Sequence, residues 1–276
     1  MLSLIIGILI RIFSNSYLNV FQKILTNKGE ASSIVNFYTY LGLTIIALFC
    51  CNKPNFNIEI LPSIFIMGFL AALGNYFIVK ALSCGELSNL ASINSYKPVV
   101  ALVIGVIILN EIPDIYQVFG IILVILGTFL LGNSKVIFSK STLYRFIALV
   151  LLGTEAIFIK KVILLSDVNS TFLYWVTTGL VFALFFALCS KQPLKIKMSN
   201  WWFQVKLVLL VALMQYSTNY VFSKMNVAYA LALFQLSSLV SFFLGVNFFK
   251  ESGLVKKFLA SIVMFIGATI IILCQR

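Results

Sequence analysis

Asn75-Tyr76-Phe77-Ile78-Val79-Lys80 closes one long apolar stretch, and Asn219-Tyr220-Val221-Phe222-Ser223-Lys224 closes another about 140 residues later. The two segments share Asn, Tyr and Lys at the same places. Working outward at a similar offset, Gly105 with Glu111 returns as Gly245 with Glu251, and Gly127 returns as Gly267. Phe21 with Lys23 returns as Phe158 with Lys160, and Gly42 as Gly179. Any one of these matches is expected by chance in so biased a sequence. The set, in the same order along the chain, reads as an internal duplication, with one copy over 1–135 and the other over 140–276.

What is duplicated is a run of apolar helices. Of 276 residues, 61% are hydrophobic and 10% charged, whereas a soluble domain carries about 25% charged residues. Too few polar side chains remain to build a water-facing surface, so the class is all-α integral membrane protein. A spanning helix takes about 20 apolar residues. The polar breaks divide the chain into ten such stretches, at 2–22, 32–51, 60–82, 88–109, 115–133, 143–165, 170–189, 203–226, 229–249 and 254–274. The breaks are turn-forming and short, as in Asn27-Lys28-Gly29-Glu30, Asn52-Lys53-Pro54-Asn55 and Lys191-Gln192-Pro193. Five helices per half is an odd number, so the second copy enters the bilayer upside down relative to the first. Inverted repeats with a binding site between them are a recurring transporter plan.

Composition also excludes function classes. There is no histidine, and the five cysteines, Cys50, Cys51, Cys84, Cys189 and Cys274, lack the spacing of a metal or redox pair. No metal, cofactor or catalytic residue is expected, and no GxSxG turn or pair of intramembrane acids suggests an enzyme. The net charge of +12 belongs mainly to lysines in the connections, where they anchor helices at the headgroups, so nucleic acid is not an expected partner. The first stretch, which carries Asn15, Asn19, Gln22 and Lys23 and has no small-residue cleavage pattern after it, reads as a retained helix and not as a signal peptide.

Polar groups inside the spans mark the candidate site. On helix one, Arg11, Asn15, Asn19 and Gln22 follow at spacings of four, four and three and share a face. An arginine or lysine at the centre of a span costs roughly 2.5–3.5 kcal/mol, so the stripe should face protein or water. Gluing neighbouring helices together is the other role open to it. On helix four, Asn94, Tyr96 and Lys97 precede Pro98, whose ring frees the carbonyl of Asn94 and calls for a polar partner. Glu155 is the one acid well inside a span. A counter-ion for Lys97 or Arg11 is its favoured reading, while proton coupling is the other, since a carboxylate with no partner in an apolar medium tends to hold a proton. Helix eight adds Gln215 and Asn219. Tyr76 with Lys80 and Tyr220 with Lys224 form matching i, i+4 pairs, read either as gates, with Arg11 as a further secondary residue, or as an interfacial aromatic-basic belt.

The stretch Tyr96-Lys97-Pro98, the Asn110-Glu111 turn, the Gly120 and Gly127 of helix five, and the repeat of the turn as Lys250-Glu251 together resemble the drug/metabolite transporter superfamily, in its ten-helix branch of two EamA-like domains. The resemblance covers nearly the whole chain. It implies a carrier with a central cavity between two five-helix halves, working by alternating access. It also implies a small-molecule substrate, drawn from amino acids, amines, sugars, nucleotide-sugars, phosphorylated metabolites and drugs, and location in the cell (inner) membrane.

The expected substrate-binding set is Asn15, Asn19, Asn94, Tyr96, Lys97, Glu155, Gln215 and Asn219. Its excess of basic groups points to a substrate with an anionic part, such as an amino acid carboxylate. An exporter of amines or drugs coupled to protons through Glu155 is the alternative, and a channel or assembly protein a remoter one. A monomer or a homodimer is expected. Lysines and arginines gather on the side opposite the termini, which by charge bias places both termini outside, whereas the resemblance implies both inside.

Overall fold

Backbone that crosses a bilayer must satisfy its own hydrogen bonds, and among the described residues all regular structure is helical. The structure, a computed structural model, describes residues 2–51, 54–84, 93, 96–131, 139–190, 192–237, 239–240 and 254–274. Within these lie α1 (Leu2–Asn27), α2 (Ser32–Cys50), α3 (Leu61–Cys84), α4 (Lys97–Leu109), α5 (Ile115–Leu131), α6 (Lys140–Leu165), α7 (Val168–Cys189), α8 (Trp201–Lys224), α9 (Val227–Phe234) and α10 (Leu254–Leu273). Short 3-10 turns, Ile58–Ile60 and Met198–Asn200, lead into α3 and α8.

The caps follow from the connections. Ser139 accepts from the Thr142 amide at the start of α6, Asp167 from Ser170 at the start of α7, and Asn226 from Ala228 at the start of α9, each satisfying an orphan donor of the first turn. Asn110 ends α4 in the left-handed region at φ 53°, a conformation Asn adopts more readily than most residues. α1 runs five residues past the expected end at 22, because nothing breaks it before Gly29, at φ 83°. Thr26 there donates back to the Gln22 and Lys23 carbonyls. The expected span at 88–109 is described at 93 and from 96 onward, and that at 229–249 through 237 and at 239–240.

Five of the described helical segments are long and apolar enough to cross a membrane. α6 matches them in length but carries Arg145, Glu155, Lys160 and Lys161 within it. The outward faces are as apolar as the inward ones, with Phe146, Phe185 and Leu209 all more than half exposed. That is the surface of a protein solvated by lipid.

The packing carries the duplication. α1 packs on α8 and α3 on α6, while α2 meets α7, α4 meets α9 and α5 meets α10. Exchanging the halves, α1 for α6 through α5 for α10, turns the first two contacts into each other and leaves the other three unchanged. An odd number of helices per half makes this the symmetry of an inverted repeat. Small residues bring the paired helices close. Gly120 and Gly267 face each other between α5 and α10, where a Cβ on Gly267 would stand 2.6 Å from the Gly120 carbonyl. Gly179 of α7 lies flat against the ring of Tyr40 on α2.

Candidate functional site

The α1 stripe does not face lipid. Arg11, Asn15, Asn19 and Gln22 all border one interior cavity. Across it α6 presents Arg145, Leu152, Glu155, Ala156 and Ile159, which recur at helical spacing along one face. α3 contributes Asn75 and Ile78, α7 Trp175, and α8 Met214, Gln215, Thr218 and Phe222, with Lys97 from α4 and Leu231 from α9. The cavity thus lies between the two halves, and reaches from mid-helix at Arg11 and Glu155 toward the side opposite the termini at Gln22 and Arg145. Its volume of about 70 Å³ has room for about five water molecules, at 10–15 Å³ of occupied volume each.

Hydrogen bonds fix the walls. Asn15 Nδ2 donates to Ser237 Oγ at 3.0 Å, and Ser16 Oγ to the Ser237 carbonyl at 2.7 Å. These bonds fasten α1 just beyond the point where α9 stops at Phe234. Asn19 Nδ2 donates back to the Asn15 carbonyl at 2.8 Å. On the opposite wall Trp175 Nε1 donates to Glu155 Oε1 at 2.6 Å, with the Trp175 ring 5.1 Å from that of Tyr40. Asn75 Nδ2 donates to the Tyr40 hydroxyl at 2.8 Å. Glu155, Trp175, Tyr40 and Asn75 therefore form one connected set drawn from α6, α7, α2 and α3.

The charges do not balance. Among the described residues, Arg11, Lys97 and Arg145 line the cavity against Glu155 alone. Arg11 and Arg145 are 9% and 6% exposed, yet Nε and Nη1 of both have no hydrogen-bond partner. The Arg11 guanidinium instead lies 4.9 Å from the centre of the Phe234 ring, a cation–π contact. Lys97 opens α4 just before Pro98, within electrostatic reach of Glu155, Arg11 and Arg145. Glu155 takes the Trp175 N–H as its hydrogen bond, and the charges of Lys97 and Arg11 act on the same carboxylate.

The cavity brings together Arg11, Asn15, Asn19, Lys97, Glu155 and Gln215 of the expected residues. The rest fall elsewhere. Tyr96 is 41% exposed and packs edge-on against Phe129 of α5, because it precedes the first turn of α4 and points outward. Asn219 is fully buried behind the wall and accepts from Gln215 Nε2 at 2.9 Å. Asn94 lies outside the described residues. Lys80 sits over the rings of Tyr76 and Tyr144, at 5.3 and 4.6 Å, an aromatic-basic cluster away from the cavity. Tyr220 packs beside Gly7 of α1, and Lys224 is exposed. Arg145 and Trp175 are lining residues that the polar stripe does not mark. Arg145 stands ten residues before Glu155 on the same α6 face, and nothing local to Trp175 signals the carboxylate it meets.

Comparison with known proteins bears on this architecture directly. The EamA-like transporter family matches over residues 2–133 and again over 139–273. The chain belongs to that family. A solved crystal structure superposes on this EamA-like protein with a TM-score of 0.75, over 98% of this chain and 96% of the other, at 16% identity; at that identity the likeness is one of fold alone. No curated protein matches the sequence. The family is one of transporters, not enzymes, so this EamA-like chain is a multi-pass membrane protein that moves small compounds across the bilayer.

Beneath the cavity, on the side of the termini, hydrogen bonds gather on the α8–α9 junction, from α6 of the same half and from the other half of this EamA-like chain. Lys160 Nζ donates to the carbonyls of Phe222 and Met225, the latter at 3.2 Å, where α8 ends. Glu111, in the connection after α4, accepts from the Val227 amide at 3.2 Å, where α9 begins. The Asp114 amide donates to the Tyr229 hydroxyl at 3.0 Å. Burial pushes the Glu111 carboxyl above its ordinary 4.5, while the Val227 amide and the charge of Lys160 pull it back. The loose Asn110-Glu111 turn read in the sequence thereby acquires a physical role, holding the α8–α9 junction from the other half of the molecule.

Proposed function

We propose that the protein is a secondary carrier, moving a small metabolite with an anionic group by alternating access. The halves 1–135 and 140–276 would tilt about the cavity between them. The observation that carries this reading is the cavity itself, enclosed between inverted repeats and holding Arg11, Lys97 and Arg145 against one acid. Arg11 and Lys97 would take the anionic group, and Asn15, Asn19 and Gln215 would supply orienting hydrogen bonds. Glu155, held by Trp175, would take a substrate ammonium if the substrate is an amino acid. The bonds of Lys160 and Glu111 would close the terminus side in this state, which favours a carrier over an open channel or an assembly protein.

Glu155 also supports a second reading, an exporter of amines or drugs that exchanges them for a proton at that carboxylate. The two readings separate on the sign of the ligand. Location in the cell (inner) membrane, as a monomer or homodimer, accompanies either.

The test is counterflow in proteoliposomes, with saturable exchange of labelled anionic, zwitterionic and cationic solutes measured for the wild type and Lys97→Ala. Exchange of an anionic or zwitterionic solute that Lys97→Ala abolishes supports the carrier. Exchange confined to amines, unaffected at Lys97 and lost in Glu155→Gln, moves the assignment to the second reading. Non-saturable flux without counterflow would exclude both.

A further inference from the structure

We infer that the solute of this cavity is a compact dianion, one bearing two carboxylates or a phosphate monoester. The inference rests on the carrier reading above and narrows it.

Both guanidiniums stay protonated in any protein, and both are at least nine-tenths buried with two N–H-bearing nitrogens unbonded. Lys97 is the third cation on the cavity wall. Glu155 carries one negative charge and accepts the Trp175 N–H, and neither arginine's Nε or Nη1 is bonded to it or to any other group. With Glu155 ionised the cavity still holds two positive charges over among the described residues. Buried charges left unpaired are costly, and removal of water makes each one more so. A ligand carrying one negative charge, or a zwitterion with none net, leaves that excess standing. A ligand carrying two removes it.

Geometry restricts the ligand further. Arg11 stands on α1 and Arg145 on α6, so the two forks come from opposite halves of the repeat, with Lys97 between them electrically. Planar guanidiniums bind carboxylate and phosphate oxygens through paired N–H bonds. A ligand with two acidic groups can offer one to the Arg11 end of the cavity and one to the Arg145 end, while a phosphate monoester brings both charges to one of them. The cavity has room for about five water molecules in this state, which favours a compact solute.

The experiment is a thermal-melting titration of the full-length protein in detergent. The probes are malonate, succinate and glycerol phosphate as dianions, propionate and butyrate as monoanions, alanine as zwitterion and propylamine as cation. The variants are Arg145→Gln and Arg145→Lys. At least one class of dianion should bind about tenfold or more tighter than the monoanions, the step of one charge-assisted pair. Arg145→Gln should erase that preference while a weaker anion response survives at Arg11 and Lys97, and Arg145→Lys should restore part of it. The dicarboxylate and phosphate arms tell the two sources apart. Equal binding of monoanion and dianion, stabilisation by alanine or propylamine alone, or a preference unchanged in Arg145→Gln overturns the inference. So does a wild type that responds to no probe. If Arg145→Gln fails to fold, the wild-type comparison of dianion with monoanion decides by itself. Saturable counterflow of alanine or propylamine, with none of the dianions, would sink the dianion while leaving the carrier intact.

Discussion

The Glu155–Trp175 bond offers the sharpest quantitative test of the cavity wall. Both side chains are nearly inaccessible, at 4% and 2% exposure, and the N–H to carboxylate distance is 2.6 Å. A hydrogen bond to a charged group contributes about 1.5–3 kcal/mol net, and a partner left buried and unsatisfied costs about 1–3 kcal/mol. Trp175→Phe keeps an aromatic ring beside Tyr40 but removes the donor. Glu155→Met removes the acceptor at similar length. Each single change orphans the other partner, while the double change orphans neither. The cycle should therefore show a coupling of about 1.5–3 kcal/mol, the double variant being that much less destabilised than the sum. Equilibrium unfolding in mixed detergent micelles, followed by far-UV circular dichroism, reads it without relying on Trp175 fluorescence. Additivity within about 0.5 kcal/mol would refute the bond as the device that holds Glu155 in place.

Further outcomes follow from neighbouring contacts. Lys97→Ala removes a cation from a site with too many, so its melting temperature should equal or exceed the wild type's, in the manner of function-stability trade-offs worth about 0.5–2 kcal/mol. Its binding of anionic ligands should fall about tenfold or more in the same melting assay. Gly179→Ala places a methyl against the Tyr40 ring, and overpacking of this kind costs about 1–3 kcal/mol. The loss should appear in unfolding and be partly relieved by Tyr40→Phe, whose ring is free to shift once the Asn75 bond is gone. For Glu111, whose folded carboxyl lies above 4.5, the folded state binds the proton more tightly than the unfolded chain does. The stability this contributes is full below 4.5 and lost as pH rises through the folded value. Midpoints measured from that pH upward should fall in the wild type relative to Glu111→Gln.

The fold was legible because membrane helices advertise themselves by length and apolarity, and because the duplication repeats residues with a packing role. Gly127 and Gly267 recur since each half needs the same close approach, Gly127 meeting Ala260 and Met264 of α10 and Gly267 meeting Gly120 and Val124 of α5. The α1 stripe was legible for a related reason, four polar residues on one face being too costly to leave in lipid. What the sequence hid lies in three dimensions. Arg145 near a helix start looks like any headgroup anchor until the α6 face turns it inward. Tyr96 and Asn219 each lie one or a few positions from a lining residue, and a helix turns about 100° per residue. Nothing but the bundle can tell a wall from the layer behind it.

The departures from the repeat are as informative as the repeat itself. At the offset that relates Phe21 to Phe158, Glu155 stands where Leu18 stands, and Arg145 where Ile8 stands. At the offset that relates Gly105 to Gly245, Lys97 corresponds to Ser237, and here the structure separates their roles. Ser237 binds Asn15 and Ser16 and fastens α1 to the end of α9, while Lys97 opens α4 with its charge turned to the cavity. Selection for the scaffold alone would keep both members of each pair alike in polarity and charge. A solute has no such two-fold symmetry, and a cavity that binds one must place cation, acid and hydroxyl on different sides of it. The residues that break the duplication, Arg145, Glu155 and Lys97, are therefore where substitutions should change what is carried. Those that obey it, Gly179 and Lys160 among them, are where substitutions should change whether the protein folds or moves.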